Sequence, residues 1–349
     1  MEKRGMERYI EFDIYALVLS FMVVMIHSSY TNLYPSNEAI DFWINDVYCN
    51  YLSGFAVPMF FMISGIKFYR GFAPNQTKQK IASRFRTILI PFLLWNTISV
   101  IWNAFLSYTP FLSAMISTRE KFIFSLKNLI GGIFWFKYIH PFWFMALLFI
   151  FVLLCPIIYF VIRKKIVFGV VFLSLYLAQN LLPMPQTHWP MFQVNTIIYC
   201  VAFYLIGAFL GLHHFHWFVQ KKSRVLRWPA AFVFLLMVTM RCVLNDSKWI
   251  FIPAILIGGY ALWVFCGSFK MKDCGVIHDS FFIYPAHTFI LPCVNKVLYL
   301  ILPNEAVMGI INTIGGTIIS FALCLIVAEA LKHTGRASLW NLLNGRRAL

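Results

Sequence analysis

Three polar residues recur every seven positions in the first apolar segment of the chain. Asp13, Ser20 and His27 lie in the stretch DIYALVLSFMVVMIHSS, in which most other residues are apolar. Seven residues of an α-helix fall about 20° short of two full turns, so the three side chains would form one narrow line. Along this line, Asp13 and His27 would lie about 21 Å apart.

Histidine is the residue in this line that is best suited to chemistry. An imidazole titrates near neutral pH and can take a proton from a hydroxyl group, which makes His27 a candidate general base. Polar groups within a bilayer tend to face the bundle interior or a wet cavity, so Asp13 and Ser20 are candidate lining residues of a cavity across the membrane. The alternative is that His27 lies at the membrane interface and binds only water.

The composition indicates which elements must position these residues. The chain has 349 residues, of which 60% are hydrophobic and 12% charged, and its mean hydropathy is +0.74. A soluble protein carries about 25% charged residues, and barrel strands would show alternation over roughly 10 residues rather than long apolar stretches. We therefore predict an all-α polytopic membrane protein. It would form a single transmembrane domain over residues 1–349, with no appended soluble domain.

A bilayer core requires about 20 apolar residues per helix, and this length predicts about ten transmembrane helices. The candidate segments are 10–29, 48–68, 88–107, 142–162, 166–182, 194–212, 229–244, 250–268, 280–302 and 307–331. The fifth and seventh segments are short.

The distribution of basic residues predicts the orientation of these helices. With the N-terminus in the cytoplasm, 21 of the 29 lysines and arginines fall in inner connections and six in outer ones. This bias predicts that both termini are cytoplasmic. It also explains the net charge of +16 by topology, so we expect no nucleic-acid partner. The long outer connection, 108–141, contains the stretch NLIGGIFWF, which would be a re-entrant or an interfacial segment.

Cysteine and histidine clusters do not indicate a metal site. Most of the eight cysteines fall within or at the ends of apolar segments and none forms a CxxC pair, which is typical of small buried residues rather than of disulfides or zinc ligands. The HHFH stretch at 213–216 lies in a basic turn, where exposure to solvent is the simpler interpretation. We expect no metal and no tightly bound cofactor.

Two further segments contain residues that could contribute to a site. VPMFFMISGIKFYR places Ser64 and Gly65 in the second helix, where a glycine permits close helix approach. SRFRTILIPFLLW places Arg84 and Arg86 at the cytoplasmic start of the third helix. These arginines are explained either by topology and snorkelling or by phosphate binding, for which the planar guanidinium is well suited.

The segments of the first three helices are followed by FWFMALLFIFVLLCPII in the fourth helix and SFFIYPAHTFI in the ninth. In this order, the five segments resemble the membrane acyltransferase-3 family of multi-spanning O-acyltransferases. The resemblance runs from residue 7 to about 290. It implies transfer of an acyl group, usually acetyl, from cytoplasmic acetyl-CoA or another acyl-CoA to a hydroxyl of a cell-surface or secreted carbohydrate. The partners would be acyl-CoA, the carbohydrate and membrane lipid. The location implied is the bacterial inner (plasma) membrane.

The resemblance also implies roles for individual residues. His27 matches the family's first-helix histidine and would be the catalytic base. Ser64 and Gly65 belong to the second-helix motif, Trp143 to the fourth and His287 to the ninth. These four residues would lie at the acceptor site or in the cavity, whereas Arg84 and Arg86 would bind the donor.

One position departs from the family pattern. Ala16 stands where the family usually has an arginine, eleven residues before the histidine and about 20° from it around the helix. Either another cation serves, with Arg84 and Arg86 as candidates, or donor binding differs, or activity is lost. The competing functions are a transporter or flippase for a glycan or small polar solute, and a structural membrane subunit.

Overall fold

The fold is described from a computed structural model, which covers residues 9–110, 121–182, 193–220, 222–269, 273–334 and 337–345. Within these ranges the chain is helical and contains no strand, which confirms the all-α prediction. Several basic residues that enter the orientation count lie outside the described residues, as does 111–120 of the long outer connection.

Thirteen of the described helices are numbered in chain order. They are α1 (Ile10–Ile26), α2 (Ala56–Tyr69), α3 (Ile90–Tyr108), α4 (Leu126–Phe134), α5 (Trp143–Leu153), α6 (Cys155–Ile162), α7 (Lys165–Leu181), α8 (Val194–His213), α9 (Arg227–Val243), α10 (Lys248–Gly267), α11 (Ser280–Ile301), α12 (Ala306–His333) and α13 (Ala337–Leu343). The shorter helices Glu38–Asp41, Thr77–Arg84 and Phe215–Val219 lie between them, and the segments Phe42–Leu52 and Phe85–Leu89 are π-helical turns that lead into α2 and α3.

Each of the ten predicted segments corresponds to a helix or to a bent pair of helices. Eight helices of the described residues are long and apolar enough to cross a membrane. The helices α5 and α6 are long and apolar enough to cross a membrane only when they are taken together as one span. The helix α7 is apolar and has 17 residues. At a rise of 1.5 Å per residue, α7 is about 25 Å long, which lies at the lower limit for a span.

The predicted fourth helix, 142–162, is not straight. It is bent by 70° between Leu153 and Cys155, where α5 ends and α6 begins. Pro156 stands at the start of α6; proline lacks the amide hydrogen of a helical bond, and its ring clashes with the preceding turn. Because the hydroxyl of Tyr69 donates to the carbonyl of Cys155 at 3.0 Å, the bend is anchored to the end of α2.

The long connection between α3 and α5 folds back along α3 in its described part, 121–142. At its start, the amide of Phe122 donates to Ser107 Oγ at 2.7 Å, near the end of α3. Further on, Phe136 contacts Phe92, near the start of α3, with ring centroids 6.3 Å apart. Since Gly132 of α4 packs against Val100 between these points, the segment follows α3 over most of its length. This packing supports the re-entrant alternative for NLIGGIFWF.

Glycines allow α2 and α8 to approach each other closely. A Cβ on Gly65 would lie 2.5 Å from the carbonyl oxygen of Tyr204, and a Cβ on Gly211 would lie 2.5 Å from that of Ile66. Gly207, between them on α8, faces the backbone of Met62 with no room for a side chain. Close backbone approach at small residues is the usual basis of helix association in membranes.

A buried arginine anchors the end of α9. Arg241 is 1% exposed and forms a two-point ion pair with Asp246, in which Nε and Nη2 donate at 2.7 and 2.8 Å. Its Nη1 donates to the carbonyl of Tyr51 at 2.7 Å, and its guanidinium lies over the ring of Phe55. Because its donors are occupied by this packing, Arg241 joins the α9 end to the segment before α2.

The glycine contacts predict a selective loss of stability. Gly207→Ala should lower the free energy of unfolding by about 1–3 kcal/mol, because the added methyl group overpacks the α2–α8 contact. Gly169→Ala in α7, where nothing lies within 4 Å of the added Cβ, is the matched control. It should leave the melting temperature of the detergent-solubilised protein unchanged or raise it. Equal melting temperatures for the two variants would contradict the packing.

Candidate functional site

A polar cavity of about 310 Å³ lies between α1, α2, α5, the start of α11 and the segment that leads into α3. Five of its lining side chains are charged or polar groups that could bind a ligand. These are Asp13, Ser64, Lys67, Arg84 and His278. Ala16, Phe144, Ser280 and Tyr284 are also part of its wall, and apolar residues complete it.

Contacts of the Asp13 carboxylate join three walls of this cavity. One carboxylate oxygen of Asp13 lies 3.4 Å from Lys67 Nζ on α2, and the other lies 3.3 Å from His278 Nδ1, just before α11. The second ring nitrogen of His278 lies 2.7 Å from Oδ1 of Asp273. The Lys67 side chain is 40% exposed, so the cavity reaches solvent at this position.

Next to His278, a second ion pair secures the start of α11. Asp279 is fully buried, and its carboxylate lies 2.8 Å from Lys332 Nζ near the end of α12. Burial raises the pKa of the Asp279 carboxyl, while the hydrogen bond and the charge of Lys332 lower it. This pair therefore fixes the cavity wall at the junction of α11 and α12.

The two predicted donor-binding arginines occupy different surroundings. Arg84 lines the cavity, is only partly exposed and has its guanidinium carbon 5.8 Å from the centre of the Phe68 ring. Arg86 is exposed and is not part of the cavity wall. With Lys67 and Arg84 against the one carboxylate of Asp13, the lining carries net positive charge and favours an anionic ligand.

Ser20 does not line the cavity, in contrast to the expectation for the polar line. It is 1% exposed, and its hydroxyl lies 2.9 Å from the carbonyl of Ala16 and 3.1 Å from that of Ser280. The side chain is therefore used to join α1 to α11. The continuous cavity expected along Asp13, Ser20 and His27 is replaced by a cavity at Asp13 and a separate region around His27.

His27 and His287 form a stacked pair above the cavity. Their ring centroids are 5.4 Å apart with an interplanar angle of 26°. His27 follows the last residue of α1 and is exposed, whereas His287 of α11 is 1% exposed. His287 Nδ1 lies 3.2 Å from the carbonyl of Ile283, and its Nε2 has no hydrogen-bond partner among the described residues.

Aromatic rings separate the cavity from this pair. Tyr284 lines the cavity, and its ring centroid lies 6.4 Å from that of His287. The Tyr284 hydroxyl donates to the carbonyl of Pro141, and its ring also contacts Phe144. Trp143, adjacent to Phe144, is partly buried and is not part of the cavity wall. The two regions are thus neighbours, with Tyr284 between them.

The second-helix motif is divided between the cavity and the helix contact. Ser64 lines the cavity, whereas Gly65 faces α8. Lys67 in the same helix is not among the predicted site residues, although a lysine within a membrane helix is itself an indication of a site. His278 and Tyr284 have no comparable indication in the sequence. Neither falls in a regular spacing with other polar residues, although Tyr284 lies within the SFFIYPAHTFI segment.

Most of the cysteines are packing residues in this structure. All eight are free thiols, and five of them are buried, in agreement with the interpretation of small apolar residues. Among the described residues, no group of three or more His, Cys, Asp or Glu side chains is arranged to hold a metal ion.

Comparison with family models gives a match over most of the chain. A model described as an acyltransferase domain, Acyl_transf_3, matches residues 12–329. The chain belongs to the acyltransferase-3 family. Comparisons with curated proteins and with solved structures find no match. The range matched in this membrane acyltransferase includes the cavity and both histidines of the stacked pair, so these belong to the acyltransferase domain.

The two serines of the first and second helices allow the cavity to be tested by chemical labelling. In a background with Cys274→Ser and Cys293→Ser, which removes the exposed thiols, Ser64→Cys should react with a small anionic methanethiosulfonate reagent. Ser20→Cys should not react, because this position is buried against α11. With the predicted orientation, the thiol introduced at position 64 should react in inside-out vesicles and be protected in right-side-out ones. Rapid labelling of Ser20→Cys would contradict the finding that Ser20 is buried and does not line the cavity.

Proposed function

We propose that this protein transfers an acyl group, with acetyl as the first candidate, from a cytoplasmic acyl-CoA to a hydroxyl of a carbohydrate at the outer face. The observation that supports this most directly is the arrangement along α1 and α11. One end of this helix pair borders a cavity with net positive charge, and the other end carries an exposed imidazole. An anionic donor and a hydroxylic acceptor could therefore approach from opposite sides.

The inner cavity would bind the donor. CoA carries several phosphates, and arginine binds phosphate through two parallel hydrogen bonds while lysine acts as a point charge. Arg84 and Lys67 are the cavity cations suited to this role, and Asp13 orients the lysine from the neighbouring helix. Binding would shift the Lys67 ammonium from the carboxylate toward phosphate. Ala16 leaves the adjacent wall of α1 small and uncharged.

His27 would act as the general base. A sugar hydroxyl is a weak nucleophile, and removal of its proton as the oxygen attacks the thioester carbonyl lowers the barrier. The C–O bond forms, the tetrahedral intermediate collapses with cleavage of the C–S bond, and the proton held by His27 passes to the leaving thiolate. The products are the ester and CoA. Since His27 is exposed, an acceptor can reach it without entering the bundle.

His287 would support the base rather than replace it. Its Nδ1 can donate to the Ile283 carbonyl, which orients the ring, and its face lies against His27. The donor arm must reach this pair from the cavity, and Tyr284 lies between the two. The proposal therefore requires that the Tyr284 ring be displaced when the arm enters.

Substitutions at the two histidines test the assignment of the base. His27→Ala should abolish transfer of radiolabelled acetyl groups from acetyl-CoA while expression and melting temperature remain near wild type. His287→Phe keeps an aromatic ring against position 27 and should retain partial activity. The opposite result, an active His27→Ala and an inactive His287→Phe, would assign the base to His287. A transporter or structural subunit would show no acetyl transfer at all.

Substitutions at the cavity cations test donor binding. Arg84→Gln and Lys67→Gln should each raise KM for acyl-CoA by about 10-fold or more, because a charge-assisted hydrogen bond contributes about 1.5–3 kcal/mol. Arg86→Gln, close in sequence but outside the cavity wall, should change KM by less than about twofold. Equal effects at positions 84 and 86 would indicate a general surface attraction and contradict a specific phosphate site.

A further inference from the structure

A buried polar cluster lies where the end of α1 meets α11 and α12. Asn295 of α11 is 2% exposed, and Asn312 of α12 is fully buried. Neither residue lines the cavity or belongs to the histidine pair. Buried amides in the apolar part of a membrane protein are costly unless they are hydrogen-bonded, so their partners indicate what they hold in place.

The two asparagines connect to the chain immediately after His27. Asn295 Nδ2 donates to the carbonyl of Ser28 at 3.1 Å. Asn312 Nδ2 donates to the carbonyl of Asn295 at 3.0 Å and to the hydroxyl of Tyr34 at 2.8 Å. One series of hydrogen bonds therefore links α12 through α11 to Ser28, the residue that follows His27. A second bond links α12 to Tyr34, further along the same connection.

Gly316 makes the Asn295 contact possible. A Cβ at this position would collide with Oδ1 of Asn295, whereas a Cβ on the adjacent Gly315 would meet only Leu298, at 3.8 Å. The carboxamide of Asn295 thus lies directly against the α12 backbone, with its oxygen toward Gly316 and its nitrogen toward Ser28. Turning the amide over would place its oxygen against the Ser28 carbonyl and lose that bond.

This arrangement bears on where the His27 imidazole lies. α1 ends at Ile26, and beyond the backbone bonds from His27 to Val24 and from Ser28 to Met25, the position of His27 depends on what holds the connection that follows. Asn295 is on the same helix as His287, about 12 Å further along its axis. A bond from α11 to Ser28 therefore sets the end of α1 relative to His287, with which the His27 ring stacks at 5.4 Å.

We propose that Asn295 is a positioning residue for His27, and that Asn312 and Gly316 hold Asn295 in place. The inference rests on the proposed role of His27 as the base. Catalytic geometry is sensitive to small displacements, and a shift of about 1 Å costs about 100-fold in rate. A single hydrogen bond in a membrane protein contributes little to stability on average, so its loss should affect catalysis far more than stability.

The test compares Asn295→Ala and Gly316→Ala with Gly315→Ala as the matched control. Asn295→Ala and Gly316→Ala should each lower kcat by about 10- to 100-fold while KM for acyl-CoA changes by less than about twofold. Gly315→Ala should keep kcat near wild type. In the double variant, Gly316→Ala should cause no further loss, because alanine at 295 has removed the atom with which the new methyl group collides.

Hydrogen exchange gives a readout that does not depend on activity. Amides of residues 27–34 should exchange faster in Asn295→Ala and in Gly316→Ala than in wild type or Gly315→Ala. Unchanged exchange in this segment, or losses that are additive in the double variant, would overturn the positioning role. A loss confined to KM or to melting temperature would also overturn it. Absence of acyl transfer by the wild-type protein would instead contradict the proposed function, and the exchange measurement would still decide whether Asn295 holds the segment.

Discussion

The carboxylate of Asp13 is the interaction on which the cavity end of the site depends. A charged group within a membrane helix is costly, and it persists where counter-charges and a polar cavity surround it. Lys67 approaches from α2 and His278 from the segment before α11, so one carboxylate joins three cavity walls. Removing the Lys67 ammonium would take away a counter-charge of this partly buried carboxylate. The open space beside Ala16 is therefore framed by ionic contacts as well as by packing.

The rest of α1 is held by different means. At mid-helix, the Ser20 hydroxyl contacts the backbone of Ser280, and at the end the Asn295 amide contacts that of Ser28. On the opposite side, the Tyr15 hydroxyl donates to the carbonyl of Gly259 in α10 at 2.7 Å. Beyond Asp13, neutral side chains thus make the hydrogen bonds that join α1 to its neighbours. His27 is left exposed at the end of a helix that is fixed along its length.

The sequence predicts the helices better than it predicts their partners. Hydropathy is a local property, and each predicted segment has a helical counterpart, although Pro156 divides the fourth one. The contacts that build the site are long-range: Asp13 and Lys67 are 54 residues apart, and Asn295 and Ser28 are 267 apart. The seven-residue spacing places Asp13, Ser20 and His27 on one line but gives no information on what faces that line. Its three members therefore have three different surroundings.

Ala16, which stands where the family pattern has an arginine, can be compared with the cation on the neighbouring helix α2. The family resemblance implies a cation on α1, eleven residues before the histidine, and this chain has a methyl group there. Ala16 and Lys67 line the same cavity, and Lys67 is held by Asp13, three residues before Ala16 on α1. A cation is thus present beside this part of α1, although it extends from α2. Under the proposed donor role, the cation that the resemblance implies on α1 is supplied from α2 through a contact between helices, which the sequence of α1 alone does not reveal.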